Sequence, residues 1–198
     1  MKRSFFAFLF VSCLLVGSAY ADQGDLSFGF DTGQVGLTSP GMSSFGTNGF
    51  GFGGYLTYAA SELFALDMNV IYSQHSGNGS YGANAFYPTL ALKFGMTFDQ
   101  LSPYLTTGIG VYRTSFHGTM SDIANYNYGA ATAFGFNIGG GLDIDLGKMF
   151  IIGLLVRYHP VLGKSVTGVP GGAGVDDMWD ALFRIGVKFK TETKGGWD

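Results

Sequence analysis

The chain has 198 residues, 33 of them glycine, with 16% aromatic and only 13% charged side chains. That length suits one domain, and the charged fraction is low for a soluble one. A net charge of -3 with no basic block argues against nucleic acid as a partner.

The first 21 residues read as a separate object. Lys2 and Arg3 give a basic start, Phe5 to Val16 (FFAFLFVSCLLV) is an apolar run, and Ala19-Tyr20-Ala21 is an A-x-A cleavage site. Together they predict a secretory signal peptide over residues 1–21, with an apolar run too short for an ordinary spanning helix. Without Lys2 and Arg3 the chain carries 9 basic and 14 acidic residues, a formal charge of -5. The one cysteine, Cys13, lies in this leader. Apolar residues continue past it, and the preceding Phe-Val-Ser is a poor lipidation signal, so a lipid anchor is not expected. The mature chain then has no disulfide, and a closed hydrogen-bonded barrel is an alternative source of stability.

From Asp22 onward the chain repeats one pattern, bulky apolar residues at every second position, which predicts two-faced strands. The first strand sets Leu26, Phe28 and Phe30 against Ser27, Gly29 and Asp31. The second sets Phe50, Phe52, Leu56 and Tyr58 against Gly51, Gly53, Tyr55 and Thr57. In the third, Phe64, Leu66, Met68, Val70 and Tyr72 oppose Ala65, Asp67, Asn69 and Ile71. The fourth opposes Phe86, Leu90, Leu92, Phe94, Met96 and Phe98 to Tyr87, Thr89, Ala91, Lys93, Gly95 and Thr97. Pro88 within it cannot donate to a ladder and is expected near a strand end or bulge. The fifth places Leu105, Ile109 and Val111 opposite Tyr104, Thr106, Gly108 and Gly110. The sixth, TAFGFNIGGGLDIDLG, sets Phe134, Phe136, Ile138, Leu142 and Ile144 against Gly135, Asn137, Gly139, Gly141, Asp143 and Asp145. The seventh sets Phe150, Ile152, Leu154, Val156 and Tyr158 against Gly153, Arg157 and His159. The eighth sets Trp179, Phe183, Ile185, Val187 and Phe189 against Asp180, Arg184, Gly186 and Lys188.

The connections alternate in length. Short ones fall around Ala60-Ser61-Glu62, Asp99 to Ser102 and Gly147-Lys148-Met149. Long ones span Thr38 to Gly49, Ser73 to Asn84, Thr114 to Ala131 and Pro160 to Met178. This predicts an all-β fold, an eight-stranded antiparallel up-and-down transmembrane β-barrel with both termini at the short-turn end. The domain reading is 1–21 signal peptide, 22–190 outer-membrane barrel and 191–198 short periplasmic tail. Volume decides which face is inside. The apolar faces supply roughly four to six large side chains per strand, and an eight-stranded barrel has room only for a narrow filling. The apolar face must point outward, leaving a polar interior.

Two further patterns agree. Phe64, Phe98, Phe150 and Phe189 fall near the lower rim, and Tyr72, Phe86, Phe134, Tyr158 and Trp179 near the upper, as interfacial girdles require. Inside, Asp67 and Lys93 sit at similar height on adjacent strands. Asp31 and Arg184 do so on strands one and eight, which become neighbours when the barrel closes. Two acids and two bases in one layer predict a structural ion plug, with a charged constriction of a pore as the alternative.

With a leader and strands such as TAFGFNIGGGLDIDL, PYLTTGIGVY and FIIGLLVRYH, the mature chain resembles the outer-membrane protein β-barrel domain family. These are the small OmpA-like and opacity-type barrels of Gram-negative bacteria. The resemblance implies a place in the bacterial outer membrane, contact with its lipid and lipopolysaccharide, and delivery by the barrel-assembly machinery. The last strand resembles the family's assembly signal at Gly186 and Phe189, although the tail TETKGGWD runs past the expected terminal aromatic.

Catalytic chemistry finds little footing. Some eight-stranded barrels are lipid A deacylases whose motif resembles a His followed closely by Ser-Asn. Here His159 is followed by Pro160-Val161-Leu162 and is predicted to face inward, while His75 and His117 fall in predicted loops. A nucleophile without a base has no activation route, so no enzyme activity is expected. Asp176, Asp177 and Asp180 in GVDDMWD could bind a divalent cation but read more simply as solvated acids. Glycine runs such as GFGFGG lack the helix that phosphate cradling needs. Neither a cofactor nor a metal is predicted. Asn78 to Gly82 and Asn125 to Tyr128 have the Tyr, Asn, Ser and Gly content of adaptable recognition loops. The expected role is a structural or surface-interaction barrel, monomeric, with an unidentified extracellular ligand. The alternatives are a narrow channel for small solutes and, below it, a lipid A-modifying enzyme.

Overall fold

Alternating side chains leave every backbone N–H and C=O free for neighbouring strands, and eight such strands can pair with no edge left over only by closing. The computed structural model describes residues 24–38, 47–61, 63–77, 81–120, 123–165, 174–175 and 177–189. Among them the barrel strands are β1 (Leu26–Leu37), β2 (Asn48–Ala59), β3 (Phe64–Ser76), β4 (Gly82–Gly95), β5 (Leu101–Met120), β6 (Ile123–Leu146), β7 (Phe150–His159) and β10 (Met178–Phe189). A two-stranded pair, β8 (Lys164–Ser165) and β9 (Gly174–Val175), precedes β10. The barrel closes in the order β1-β10-β7-β6-β5-β4-β3-β2, every pair antiparallel. The leader, Cys13 and the tail from Lys190 lie outside the described residues.

The apolar face points outward. Phe30 is 73% exposed and Ile138 60%, whereas Ile71, Tyr87 and Tyr112 on the opposite face are fully buried. The predicted girdle phenylalanines Phe64, Phe98, Phe150, Phe189, Phe86 and Phe134 all stand outside, as does Tyr158. Two-residue economy at the short-turn end is met by left-handed backbone at Asp99 (φ 58°) and Gly147 (φ 71°).

Four expectations need correcting. Strand four ends at Gly95, not Phe98, and Phe98 instead bridges Leu101 across the turn. The long connection predicted over Thr114 to Ala131 is mostly a hairpin. β5 and β6 stay paired from Leu101↔Ile144 up to Met120↔Ile123, with irregularities at Phe116/His117 and Gly118/Met120. Arg113, His117, Asn127 and Thr132 are exposed and polar there, and Asn125 to Tyr128 belongs to a strand. Pro88 sits inside β4, not at its end. Its ring leaves a gap in the β4–β5 ladder between Phe86↔Arg113 and Thr89↔Gly110. His75 and His117 lie on β3 and β5, the first buried and the second exposed.

The interior is also less polar than predicted. Toward the long-connection end Val35, Leu37, Ile71, Tyr112, Phe116 and Met178 join one buried apolar cluster. Small residues make the space: a Cβ at Gly51 would stand 2.6 Å from Val35. After β7 the chain turns back along β6, where Leu162 N–H donates to Phe134 O and Phe136 N–H to Pro160 O, each at 2.9 Å. This places Val161 and, through β9, Val175 in the same cluster.

Candidate functional site

Inward positions on adjacent strands come face to face across the ladder, so one residue type per strand can build a layer. Asp31 on β1 and Arg184 on β10 are direct register partners at the seam where the barrel closes. Arg184 Nε donates to Asp31 Oδ1 at 2.9 Å and Nη2 to Oδ2 at 3.1 Å. The same guanidinium reaches Asp67 on β3, Nη1 to Oδ1 at 3.1 Å, and lies 3.9 Å over the Tyr55 ring. Thr57 on β2 donates its hydroxyl to Asp67, and Asn69 donates to Asp67 Oδ2 at 2.7 Å.

Asn69 then carries the network upward. Its Oδ1 accepts from Arg157 Nη1 at 2.8 Å. Arg157 binds Asp180 through Nη2 at 2.7 Å and Nε at 3.2 Å, again between register partners on β7 and β10. Asp180 also takes His159 Nε2 at 3.0 Å and the Tyr87 hydroxyl at 3.3 Å. The other ring nitrogen of His159 meets the Tyr112 hydroxyl at 2.9 Å, which donates to Phe136 O at 3.1 Å. Asp31, Asp67, Asn69, Arg157, His159, Asp180 and Arg184 are each at most 2% exposed.

Of the four predicted layer residues, Asp31, Asp67 and Arg184 meet in this network. Lys93 is buried beside it, but its ammonium is held by Asp143 of β6 at 2.7 Å and lies 3.8 Å over the Tyr104 ring, so the expected Asp67–Lys93 pairing is replaced by Asp67–Arg184. The reason is reach. The planar guanidinium of Arg184 turns one edge to Asp31 and its remaining amine to Asp67, while the Lys93 ammonium is taken up by Asp143. Lower still, Lys188 pairs with Asp145 at 2.5 Å, and a cavity of about 40 Å³ opens among Asp25, Thr57, Lys93, Asp143 and Lys188. Arg157, Asn69 and Asp143 were not singled out from the sequence, and Asp180 was weighed there only as a metal ligand beside Asp176 and Asp177. Their inward positions were legible, and height counting on β7 and β10 would have paired Arg157 with Asp180.

The remaining candidates separate. Asp176 lies outside the described residues, Asp180 is in the lumen, and Asp177 accepts from the Tyr158 hydroxyl and from Val161 N–H at 3.0 Å. No group of three or more metal-ligating side chains occurs among the described residues. Ser73 and His75 do form a hydroxyl–imidazole contact of 2.9 Å, but both are buried, so no substrate atom could approach the serine. Gly186 faces inward beneath Tyr55, where a Cβ would meet the Tyr55 hydroxyl and stand 2.5 Å from Phe28 O. Phe189 faces outward and stacks on Phe28 across the seam, centroids 5.6 Å apart. Gly186→Val is therefore expected to deplete the folded, heat-modifiable form on gels, with partial recovery when Tyr55→Ala is added. Equal folding of Gly186→Val and the parent would refute the close approach.

A closed, up-and-down, eight-stranded antiparallel barrel with an apolar outer wall and a bonded interior is the architecture of the small outer-membrane barrels. Among solved structures the chain is similar to the outer-membrane protein OprG of Pseudomonas aeruginosa (TM-score 0.55, 18% identity, 86% of this chain and 98% of that one). It is also similar to the N-terminal β-barrel domain of Pseudomonas aeruginosa OprF (TM-score 0.54, 15% identity, 85% and 100%) and to Ail, the attachment invasion locus protein of Yersinia pestis (TM-score 0.52, 13% identity, 84% and 99%). No family profile matches the chain, and no curated protein sequence matches it.

Proposed function

We propose that this protein is an outer-membrane barrel that acts as a structural or surface-interaction element and does not conduct solutes. The observation that carries the reading is the side-chain filling of the lumen. Arg184 ties Asp31 on β1 to Asp67 on β3, and Arg157 ties Asp180 on β10 to Asn69 on β3, so both bonds cross the interior. Above them, Tyr87 and Tyr112 stack at 5.8 Å. Function is thereby left to the long-connection end, where the β5–β6 hairpin extends past the last β6–β7 pair, Ile138↔Tyr158. One structural neighbour is an attachment protein by name, which suits that reading.

The assignment is tested in two steps. The protein from an outer-membrane fraction should migrate differently boiled and unboiled; absence of a shift, with the protein in the soluble periplasm, would refute the membrane reading. Reconstituted in planar bilayers, it should give no stepwise conductance at high protein load. Reproducible steps would turn the assignment to a narrow channel. Unchanged lipid A mass on overexpression is expected, and an altered mass would revive the enzyme reading.

A further inference from the structure

The charged residues of the strands are sorted by face with one departure. Among strand residues whose side chains are described, Arg113 on β5 is the one charged side chain on the outward face; the others lie on the inward face. It stands at a boundary. Its register partners are Phe86 on β4 and Thr132 on β6. The next outward position below is Val111 beside Phe134, both exposed and apolar, and the next above is Ser115 beside Asn84, followed by His117.

Directly beneath Arg113 the wall is concave. The ladder gap at Pro88 opens a groove of about 270 Å³, lined on the outside by Met68, Val70, Pro88, Leu90, Ile109 and Phe134. The groove forms because Pro88 replaces a long side chain between Phe86 and Leu90. Ile109 lies roughly 13 Å down the strand from Arg113, at an extended rise per residue. A cation at the top of an apolar groove complements one kind of molecule: an amphiphile with an anionic head and a hydrocarbon tail. A guanidinium binds phosphate oxygens in a fork, and its aliphatic stem can lie along the apolar wall.

We propose that Arg113 and the groove below it bind one phosphate-bearing lipid of the outer leaflet, its phosphate on the guanidinium and an acyl chain along Pro88. The inference rests on the membrane reading above, with the long-connection end facing outward.

The test uses the folded barrel in an uncharged maltoside detergent, so its outcome does not depend on where the protein resides. Diphosphorylated lipid A and its dephosphorylated form are titrated separately, and bound lipid is counted by native mass spectrometry. The full-length mature chain should retain one diphosphorylated lipid at about tenfold lower concentration than the dephosphorylated form, a difference of about 1.4 kcal/mol. Arg113→Gln should abolish that preference, Arg113→Lys should keep part of it, and Val70→Trp, which fills the groove from the lipid side, should weaken both lipids. Each variant is first shown to be folded by its gel shift. Equal retention of the two lipids by the parent, or an unchanged preference in Arg113→Gln, overturns the site. A soluble periplasmic location with lipid preference intact would instead overturn the membrane reading and the outer-leaflet source of the lipid, and would leave Arg113 and its groove as a phospholipid-type site.

Discussion

Arg184→Met is expected to destabilise the barrel by about 3–5 kcal/mol, the range for breaking a buried ion pair by removing one partner. The loss exceeds that of a single contact because one guanidinium satisfies two carboxylates. Asp31 and Asp67 would remain buried without a bonded counter-charge, and Asp67 would keep only neutral hydrogen-bond donors, Thr57 and Asn69. The site also spans the seam: β1 and β10 are the ends of the chain fold, and Asp31–Arg184 is their central charged pair. The triple variant Arg184→Met, Asp31→Asn, Asp67→Asn should recover more than half of the loss, since it removes the stranded charges along with their partner. Urea midpoints of the folded band in lipid vesicles give the comparison, at constant slope. A change under about 0.5 kcal/mol for Arg184→Met would place it among ordinary surface substitutions and refute the central role. Lys93→Met, which removes the ammonium bound by the Asp143 carboxylate next to the lower cavity, should lose less, about 1–3 kcal/mol.

The outward wall was legible because it obeys one rule repeated eight times. Period-2 alternation fixed the face of every barrel strand, and volume alone decided that Phe134, Phe136 and Ile138 look out. The seam pair Asp31–Arg184 followed from closure plus equal height. Four things were not legible by the same means. Asp67 and Lys93 are neighbours by strand, but a lumen lets side chains reach across it, so the partner of Lys93 came from β6 and that of Asp67 from β10. The hairpin above Thr114 was hidden because its alternation is polar outside, and hydrophobic periodicity is the signal that marks strands. Pro88 broke a positional rule by leaving its partner ladder open on one side, which costs one hydrogen bond and creates the groove. The apolar upper lumen was masked by composition: Val35, Ile71 and Phe116 are spread over separate strands and converge only when the sheet closes.

Asp180→Leu is expected to cost about 3–5 kcal/mol as well, and to do so without opening a pore. Asp180 is the acceptor for both nitrogens of the Arg157 fork and for His159, and it takes the Tyr87 hydroxyl too. Leucine would leave Arg157 with Asn69 and Thr89 as its neutral acceptors, in a place closed to water. Asp180→Asn keeps acceptor capacity and should lose less, and Arg157→Met combined with Asp180→Leu should be closer to the parent than either single change. The conductance arm separates two views of the plug. If the ion pairs alone block the lumen, Asp180→Leu frees Arg157 to move and stepwise currents should appear in planar bilayers. The structure places Tyr87, Tyr112 and Phe116 in one cluster with Val161 and Val175 toward the mouth, and of these only Tyr87 bonds residue 180, through its hydroxyl. The expected result is therefore lower stability with no current. A variant that folds, shifts on the gel and conducts would mean that the apolar layer yields once the ion pair is gone, and that the barrel is a channel held shut by Arg157 and Asp180.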